Sequence, residues 1–276
     1  MSRMRSIAVK TVKPLVSDQV WQRLRSTRGD QPDPRSSTTS GAQTTAQRPP
    51  WHTMSLTEIG QHFGTDKAGP GHHYTQHYER HFQHLRDEEF TLLEIGVGGY
   101  ARERKGGKSL RMWKNYFRRA QIVGLDIEDK SFVDRPRITT YEGSQVDEQV
   151  LHRIVEEQGR PQVVIDDGSH RPEHIRETFR LLFPLLADDG LYAIEDTQTS
   201  YWASWGGNPD RNAPDTTMAL VKDLIDGLNF EEFPPSDYEP TYSDRHVIAV
   251  HAYHNLVIIE KGLNDEGSNR GPEGRR

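Results

Sequence analysis

The sequence predicts an α/β, Rossmann-like fold: a mainly parallel sheet, helices on both faces and a C-terminal antiparallel hairpin. Three observations carry this. Apolar, β-rich runs alternate with helical patterns between residues 91 and 196, as strands joined by crossover helices do. The first strong run, LLEIGVGGY, ends in a glycine-rich turn. Two final runs, HVIAVHAYH and NLVIIEK, are joined by a tight turn at about His254 and Asn255, which folds one back on the other.

Taken from the N-terminus, residues 1–26 hold Val16, Val20, Trp21 and Leu24 at helical spacing among Arg3, Arg5, Lys10, Lys13, Arg23 and Arg25. A basic amphipathic segment of this kind can touch membranes or partners, and the plainer reading is an adapter helix or an unstructured start. From Ser26 to Pro50 the chain is rich in Ser, Thr, Gln, Gly and Pro, cannot bury a core and is expected to be a linker. Residues 1–50 are thus set apart from a folded domain over 51–262, and the polar end, 263–276, is expected to be a disordered tail. Inside the domain, TLLEIGV, IVGLDI, QVVIDDG and LYAIED are strands, and SLRMWKNYFRR, DEQVLHRIVEEQ and PEHIRETFRLLFPLL are helices. In the last helix Ile175, Phe179, Leu182, Phe183 and Leu186 recur every three or four residues, an apolar stripe that covers a sheet.

The 276 residues carry a formal net charge of −6, which disfavours a nucleic-acid backbone as the main partner. There is no cysteine, so disulfides and thiolate metal sites are excluded and His, Asp and Glu remain as ligands. No apolar run reaches the roughly 18–20 residues needed to span a bilayer, and no leader-like h-region opens the chain. A cytoplasmic location with no membrane span is the expectation.

Gly96, Gly98 and Gly99 end the first strand, where missing side chains let a backbone approach a nucleotide-like ligand. The next strand ends at Asp126, whose carboxylate can accept bonds from both ribose hydroxyls. The pair suits an adenosine-containing cofactor. NAD fits that geometry as well, but the Tyr-x-x-x-Lys pair of short-chain dehydrogenases is absent, so a methyl donor is preferred. In EGSQVDEQVL, Gln145 and Asp147 stand at the third strand end, within reach of an adenine edge; Asp147 reads equally as a helix N-cap.

VVIDDGSH and LYAIED both end in carboxylates, and neighbouring strands lie about 4.8 Å apart. Asp167, Glu195 and Asp196 are therefore expected to share one ion, without which they would repel each other. The competing reading is that these acids cap helices or stay solvated. Oxygen ligands favour Mg²⁺, Mn²⁺ or Ca²⁺ over zinc, and Mg²⁺ is the expectation. His170 follows on the same loop and is the natural base for a hydroxyl. Tyr201, Trp202 and Trp205, in TSYWASWGG, offer flat faces for sugar rings or pack in the ordinary way.

Taken together and in order, LLEIGVGGY, GGKSLRMWKNYF, GLDI, IDDGSH, LFPLL, IEDTQTSYW and NLVIIEKG resemble the metal-dependent class I S-adenosylmethionine sugar O-methyltransferases of macrolide biosynthesis. The resemblance covers roughly residues 55–262. It implies Mg²⁺ on Asp167, Glu195 and Asp196, and His170 as base. It implies S-adenosyl-L-methionine contacts by Glu94, Gly96, Ser109, Asp126, Gln145 and Asp166, beside Gly98. The segment FGTDKAGPGHHYTQHY resembles the family's lid, with Thr65 and Tyr74 toward the cofactor. The activity implied is O-methylation of a sugar hydroxyl on a small-molecule or saccharide acceptor, by a homo-oligomer. Alternatives left open are a catechol or other non-sugar hydroxyl, and a cofactor-binding protein without catalysis.

Overall fold

A computed structural model of the chain describes residues 49–100, 105–233 and 238–269. The amphipathic segment and nearly all of the linker expected over 1–50 lie outside the described residues. Among the described residues there are seven strands: β1 (Thr91–Ile95), β2 (Gln121–Asp126), β3 (Ile138–Glu142), β4 (Val163–Asp166), β5 (Leu191–Glu195), β6 (Val247–Tyr253) and β7 (Leu256–Lys261). They form one sheet in the order β3-β2-β1-β4-β5-β7-β6. The first five run parallel, and β7 enters antiparallel beside β5, with β6 at the edge.

The helices are α1 (Leu56–Phe63), α2 (Tyr74–Phe82), α3 (Lys108–Tyr116), α4 (Glu148–Gln158), α5 (Pro172–Leu182), α6 (Thr217–Gly227) and the short α7 (Tyr242–His246). Ser55 and Glu58 start α1 with a reciprocal capping box, and Gly64 ends it in the left-handed conformation. Asp147 caps α4 by accepting from Gln149 N and Val150 N, so the capping reading of that residue is the observed one.

Alternate residues of each strand supply the two cores. Leu92, Ile122, Val163, Ile165, Ala193 and Ile258 face α1–α3, where Tyr78, Phe82, Trp113 and Tyr116 pack. Leu93, Val123, Val164, Tyr192, Ile194 and Ile259 face α4–α6, against Leu151, Ile175, Phe179 and Leu224. Both faces of β1 are covered, which is why it reads as an unbroken apolar run. Only Glu94 interrupts that run.

Two expectations are corrected. The helix expected to run to Leu186 ends at Leu182, because Pro184 has no N–H to continue the ladder. Phe183 and Leu186 are buried all the same, and the buried ammonium of Lys261 donates to the freed carbonyls of Phe183, Pro184 and Leu186 at 3.1, 3.3 and 2.8 Å. The polar end expected from residue 263 is held in its first part. Asn264 donates to the Leu228 and Asp244 carbonyls, and Ser268 donates to Glu232. Side-chain amides and hydroxyls can tie down a segment that offers no apolar surface.

Candidate active site

Strand order reverses between β1 and β4, so the loops leaving their carboxyl ends part and open a crevice. The register sets what lines it. Ile95 pairs with Asp166, and Asp166 pairs with Ile194, so Asp167 and Glu195 leave the sheet side by side.

The glycine turn fits this crevice closely. A Cβ on Gly96, whose φ is +90°, would lie 2.1 Å from the Asp167 carbonyl oxygen, so only glycine lets the β1 and β4 loops touch. Gly98, at φ +71°, has nothing within 4 Å of where a Cβ would stand. That is open space beside the end of β2. There Asp126 is buried, and its Oδ2 accepts from Val97 N at 2.8 Å and the Tyr100 hydroxyl at 2.9 Å.

The acidic residues hold the centre, and an unexpected lysine joins them. Lys67 lies on a single 3-10 turn, Asp66–Ala68, and is 1% exposed. Its ammonium is 2.7 Å from Asp167 Oδ2, 2.7 Å from Glu195 Oε1 and 3.3 Å from Glu94 Oε1. Burial alone would strip the proton from Lys67; the charges of Asp167, Glu195 and Glu94 overcome it and hold the group well above its usual range. Tyr78 donates to the same Glu195 oxygen at 2.6 Å, and Trp113 donates to Glu94 Oε2 at 2.8 Å. Ser109 is buried against Glu94 as a further hydrogen-bond partner.

Asp196 and His170 turn away from this lysine. Both have φ +54°, a left-handed conformation that costs a non-glycine residue of order 1 kcal/mol or more and collects at functional sites. Asp196 accepts from the Tyr74 hydroxyl at 2.9 Å, with His72 Nδ1 at 3.3 Å. Burial raises its pKa, but His170, His72 and Tyr74 outweigh this and hold the carboxyl below its ordinary value. His170 Nε2 lies 3.8 Å from Asp167 Oδ1 and 3.7 Å from Asp196 Oδ2, while its buried Nδ1 makes no hydrogen bond. Asp167, His170 and Asp196 thus present ligand atoms within 4.8 Å of one another. Glu195 stands one step deeper, engaged by Lys67 and Tyr78, rather than in that group.

Gln145 is placed differently from the expectation. Its amide donates to Asp166 Oδ1 at 3.2 Å and Thr178 Oγ1 at 3.0 Å, and its oxygen accepts from Ser169 N at 2.8 Å. Those bonds hold the Asp166–Ser169 loop. Asp166 beneath it has its pKa pushed up to about 7 by burial. Thr65 is buried at the start of the Lys67 turn. Beyond Asp196, Tyr201 and Trp202 are 41% and 43% exposed, and the Trp205 ring stands 5.9 Å from that of His170. No described helix is long and apolar enough to cross a membrane.

Comparison with known proteins agrees with this geometry. No family model matches the chain. Demethylmacrocin O-methyltransferase of Streptomyces fradiae is 49% identical over 214 residues, which are 77% of this chain and 54% of that protein. The 8-demethyl-8-(2-methoxy-alpha-L-rhamnosyl)-tetracenomycin-C 3'-O-methyltransferase of Streptomyces olivaceus is 40% identical over 215 residues, 77% of this chain and 55% of that protein. Among solved structures, MycE methyltransferase from the mycinamycin pathway, in complex with Mg, SAH and mycinamycin VI, superposes with a TM-score of 0.75 at 45% identity. That match covers 80% of this chain and 58% of MycE. The chain spans about half the length of the curated relatives it matches. Over the region it shares with them, the chain belongs to the family of these sugar O-methyltransferases and has their class I methyltransferase fold.

Proposed function

We propose that the chain transfers the methyl group of S-adenosylmethionine to a sugar hydroxyl of a glycosylated natural product or saccharide. The observation that carries this is the convergence of Asp167, His170 and Asp196 within 4.8 Å, next to the exposed rings of Tyr201 and Trp202. The donor set fits a hard divalent cation: carboxylate oxygens of Asp167 and Asp196 lie within 4.8 Å of each other, and the Lys67 ammonium pairs with Asp167 Oδ2 and Glu195 while Asp167 Oδ1 and Asp196 Oδ2 face His170. Asp167 and Asp196 would hold Mg²⁺, with Glu195 the third carboxylate behind them. Bound Mg²⁺ supplies Lewis acidity that lowers the proton affinity of a coordinated hydroxyl, and S-adenosylmethionine supplies the methyl group.

The remaining work belongs to the side chains. His170 accepts the hydroxyl proton at Nε2, the nitrogen turned toward both carboxylates. Asp126 takes the ribose hydroxyls beside the open space at Gly98, with Glu94, Gly96, Ser109 and Thr65 shaping the same pocket. Gln145 positions Asp166 through its amide. Tyr74 fixes Asp196 from the lid. Tyr201 and Trp202 offer apolar faces to a sugar ring. We place the enzyme in the cytoplasm, with a folded unit beginning near Trp51. A second copy would cover exposed Ile248 on edge strand β6 beside Leu263, and light scattering would read that homo-oligomer.

Methyl-labelled cofactor tests the reading against deoxysugar glycosides, free saccharides and catechols, with and without chelator. Label should reach a sugar hydroxyl, disappear with EDTA, and fall about 10²–10⁴-fold in rate for His170→Gln. Label on the catechol alone, or turnover indifferent to chelator, would overturn it.

A further inference from the structure

Away from the acid cluster, a second group of ligand-capable side chains meets where α2 crosses the hairpin. Strand alternation puts His251 and Tyr253 of β6 on the sheet face that α2 covers, and Glu260 of β7 follows Leu256 and Ile258 on that face. His81 of α2 closes the group from above. His81, His251 and Glu260 each offer one ligand atom, and these atoms all lie within 4.8 Å of one another.

The geometry is that of a ligand set rather than a chance pair. Glu260 Oε1 is 2.7 Å from His251 Nε2 and 3.7 Å from His81 Nδ1, so one carboxylate oxygen is shared by two imidazoles. Ligand atoms on a tetrahedral zinc ion stand about 3.4 Å apart; the 3.7 Å Glu260–His81 separation is close to this, and the hydrogen-bonded Glu260–His251 pair at 2.7 Å would open by less than about 1 Å to admit the ion. The other nitrogen of His81, Nε2, lies 2.8 Å from the Tyr253 hydroxyl, and the His77 ring stacks on Tyr253 at 3.9 Å. That is the outer-layer hydrogen bond which fixes the orientation and tautomer of a metal-binding histidine. Burial, with His251 next, lowers the pKa of His81 and so favours the neutral form that ligates. His251 and Glu260 are about one-third exposed, which leaves an open coordination position toward solvent.

We propose that His81, His251 and Glu260 bind a borderline divalent transition-metal ion, Zn²⁺ by donor type, at a site separate from the acid cluster. Two imidazoles and one carboxylate suit Zn²⁺ better than Mg²⁺, which takes oxygen ligands in octahedral array. The ion would staple α2 to the β6–β7 hairpin. Because α2 begins with Tyr74 and carries Tyr78, the staple would steady the two hydroxyls that reach Asp196 and Glu195.

The test is a calorimetric titration of the metal-stripped full chain with Zn²⁺ under excess Mg²⁺, alongside His251→Gln, Glu260→Gln, Tyr253→Phe and Asp196→Asn. Wild type and Asp196→Asn should take up one Zn²⁺ at this site and melt higher for it. His251→Gln and Glu260→Gln should weaken that binding at least about 100-fold, and Tyr253→Phe, which removes only the outer hydroxyl, by about 10–100-fold. Tyr253→Phe keeps the ring stack, so it remains informative if a ligand variant fails to fold. Absence of Zn²⁺ uptake by wild type, or an isotherm unchanged in Tyr253→Phe and both ligand variants, would overturn the site and leave a hydrogen-bonded His–Glu pair.

Discussion

The ammonium of Lys67 sits 2.7 Å from Glu195, with both side chains sealed from solvent and 128 residues apart in sequence. Removing one partner of such a pair strands the other charge, at about 3–5 kcal/mol. Lys67→Met should therefore lower the melting temperature in metal-free buffer by roughly 10 °C for a domain of this size. Mg²⁺ should restore part of the loss, since a divalent ion can take over the neutralising role. Equal melts for variant and wild type in EDTA would show that Lys67 does not hold the acids together.

Asp196 is bonded to Tyr74 and faces His170, and the proposed reaction assigns it to the acceptor. Asp196→Ala should abolish Mg²⁺-dependent methyl transfer while leaving S-adenosylhomocysteine affinity within about threefold. Calorimetry with the demethylated cofactor reads this directly. A parallel collapse of cofactor binding would place Asp196 in the wrong half of the site.

Asp126 is the carboxylate nearest the open space at Gly98, and its neutral isostere keeps the shape that receives Val97 N. Asp126→Asn should weaken S-adenosylhomocysteine by at least about tenfold, the equivalent of one charge-assisted hydrogen bond, with little change in the ligand-free melt. An unaltered dissociation constant would remove Asp126 from ribose recognition.

Asp166 has a folded pKa of about 7, raised by burial, against an ordinary value of 3.8. A carboxyl whose folded pKa is raised contributes stability below its unfolded pKa and loses it as pH climbs toward the folded one. The window is thus about pH 4 to 7, and the accumulated penalty reaches up to about 4 kcal/mol above it. Asp166→Asn carries no such penalty. It should melt above wild type at pH 8 and converge with it only near pH 4, the unfolded pKa, and a gap independent of pH would exclude the mechanism.

The described domain closes both cores with its own helices, from Leu56 to Ile259. A chain lacking residues 1–48 should melt cooperatively and gain several degrees on binding S-adenosylhomocysteine. A non-cooperative melt would put the N-terminal segment inside the fold.

What could be read from the sequence follows the range of the forces involved. Strands and crossover helices showed because their apolar spacing is local, and Asp167 and Asp196 showed because strand ends carry their neighbours with them. Lys67 did not show. Its turn is three residues long and without period, and its burial depends on carboxylates 100 and 128 residues away. Gln145 was legible in position but not in direction, since Thr178 and Ser169, 33 and 24 residues distant, decide where its amide points. His72 and Tyr78 were hidden for the same reason. The resemblance of FGTDKAGPGHHYTQHY to the family's lid brought that segment to the site, but it named Thr65 and Tyr74 rather than these two.

The reversal of strand order between β1 and β4 also divides the chain in time of synthesis. β1, β2 and β3, with Asp126 and the glycine turn, are complete at Glu142, whereas Asp167, His170, Asp196 and the exposed aromatics all come after Val163. The groups proposed for the donor side and the acids proposed for the acceptor side thus lie on opposite sides of α4, with Lys67, Tyr74 and Tyr78 reaching the acids from before β1. On the proposed function, a chimera crossed over within α4 should carry the acids that follow Val163 from one relative and the glycine turn with Asp126 from another, and a change in acceptor with unchanged S-adenosylhomocysteine affinity would mark that helix as a graft point.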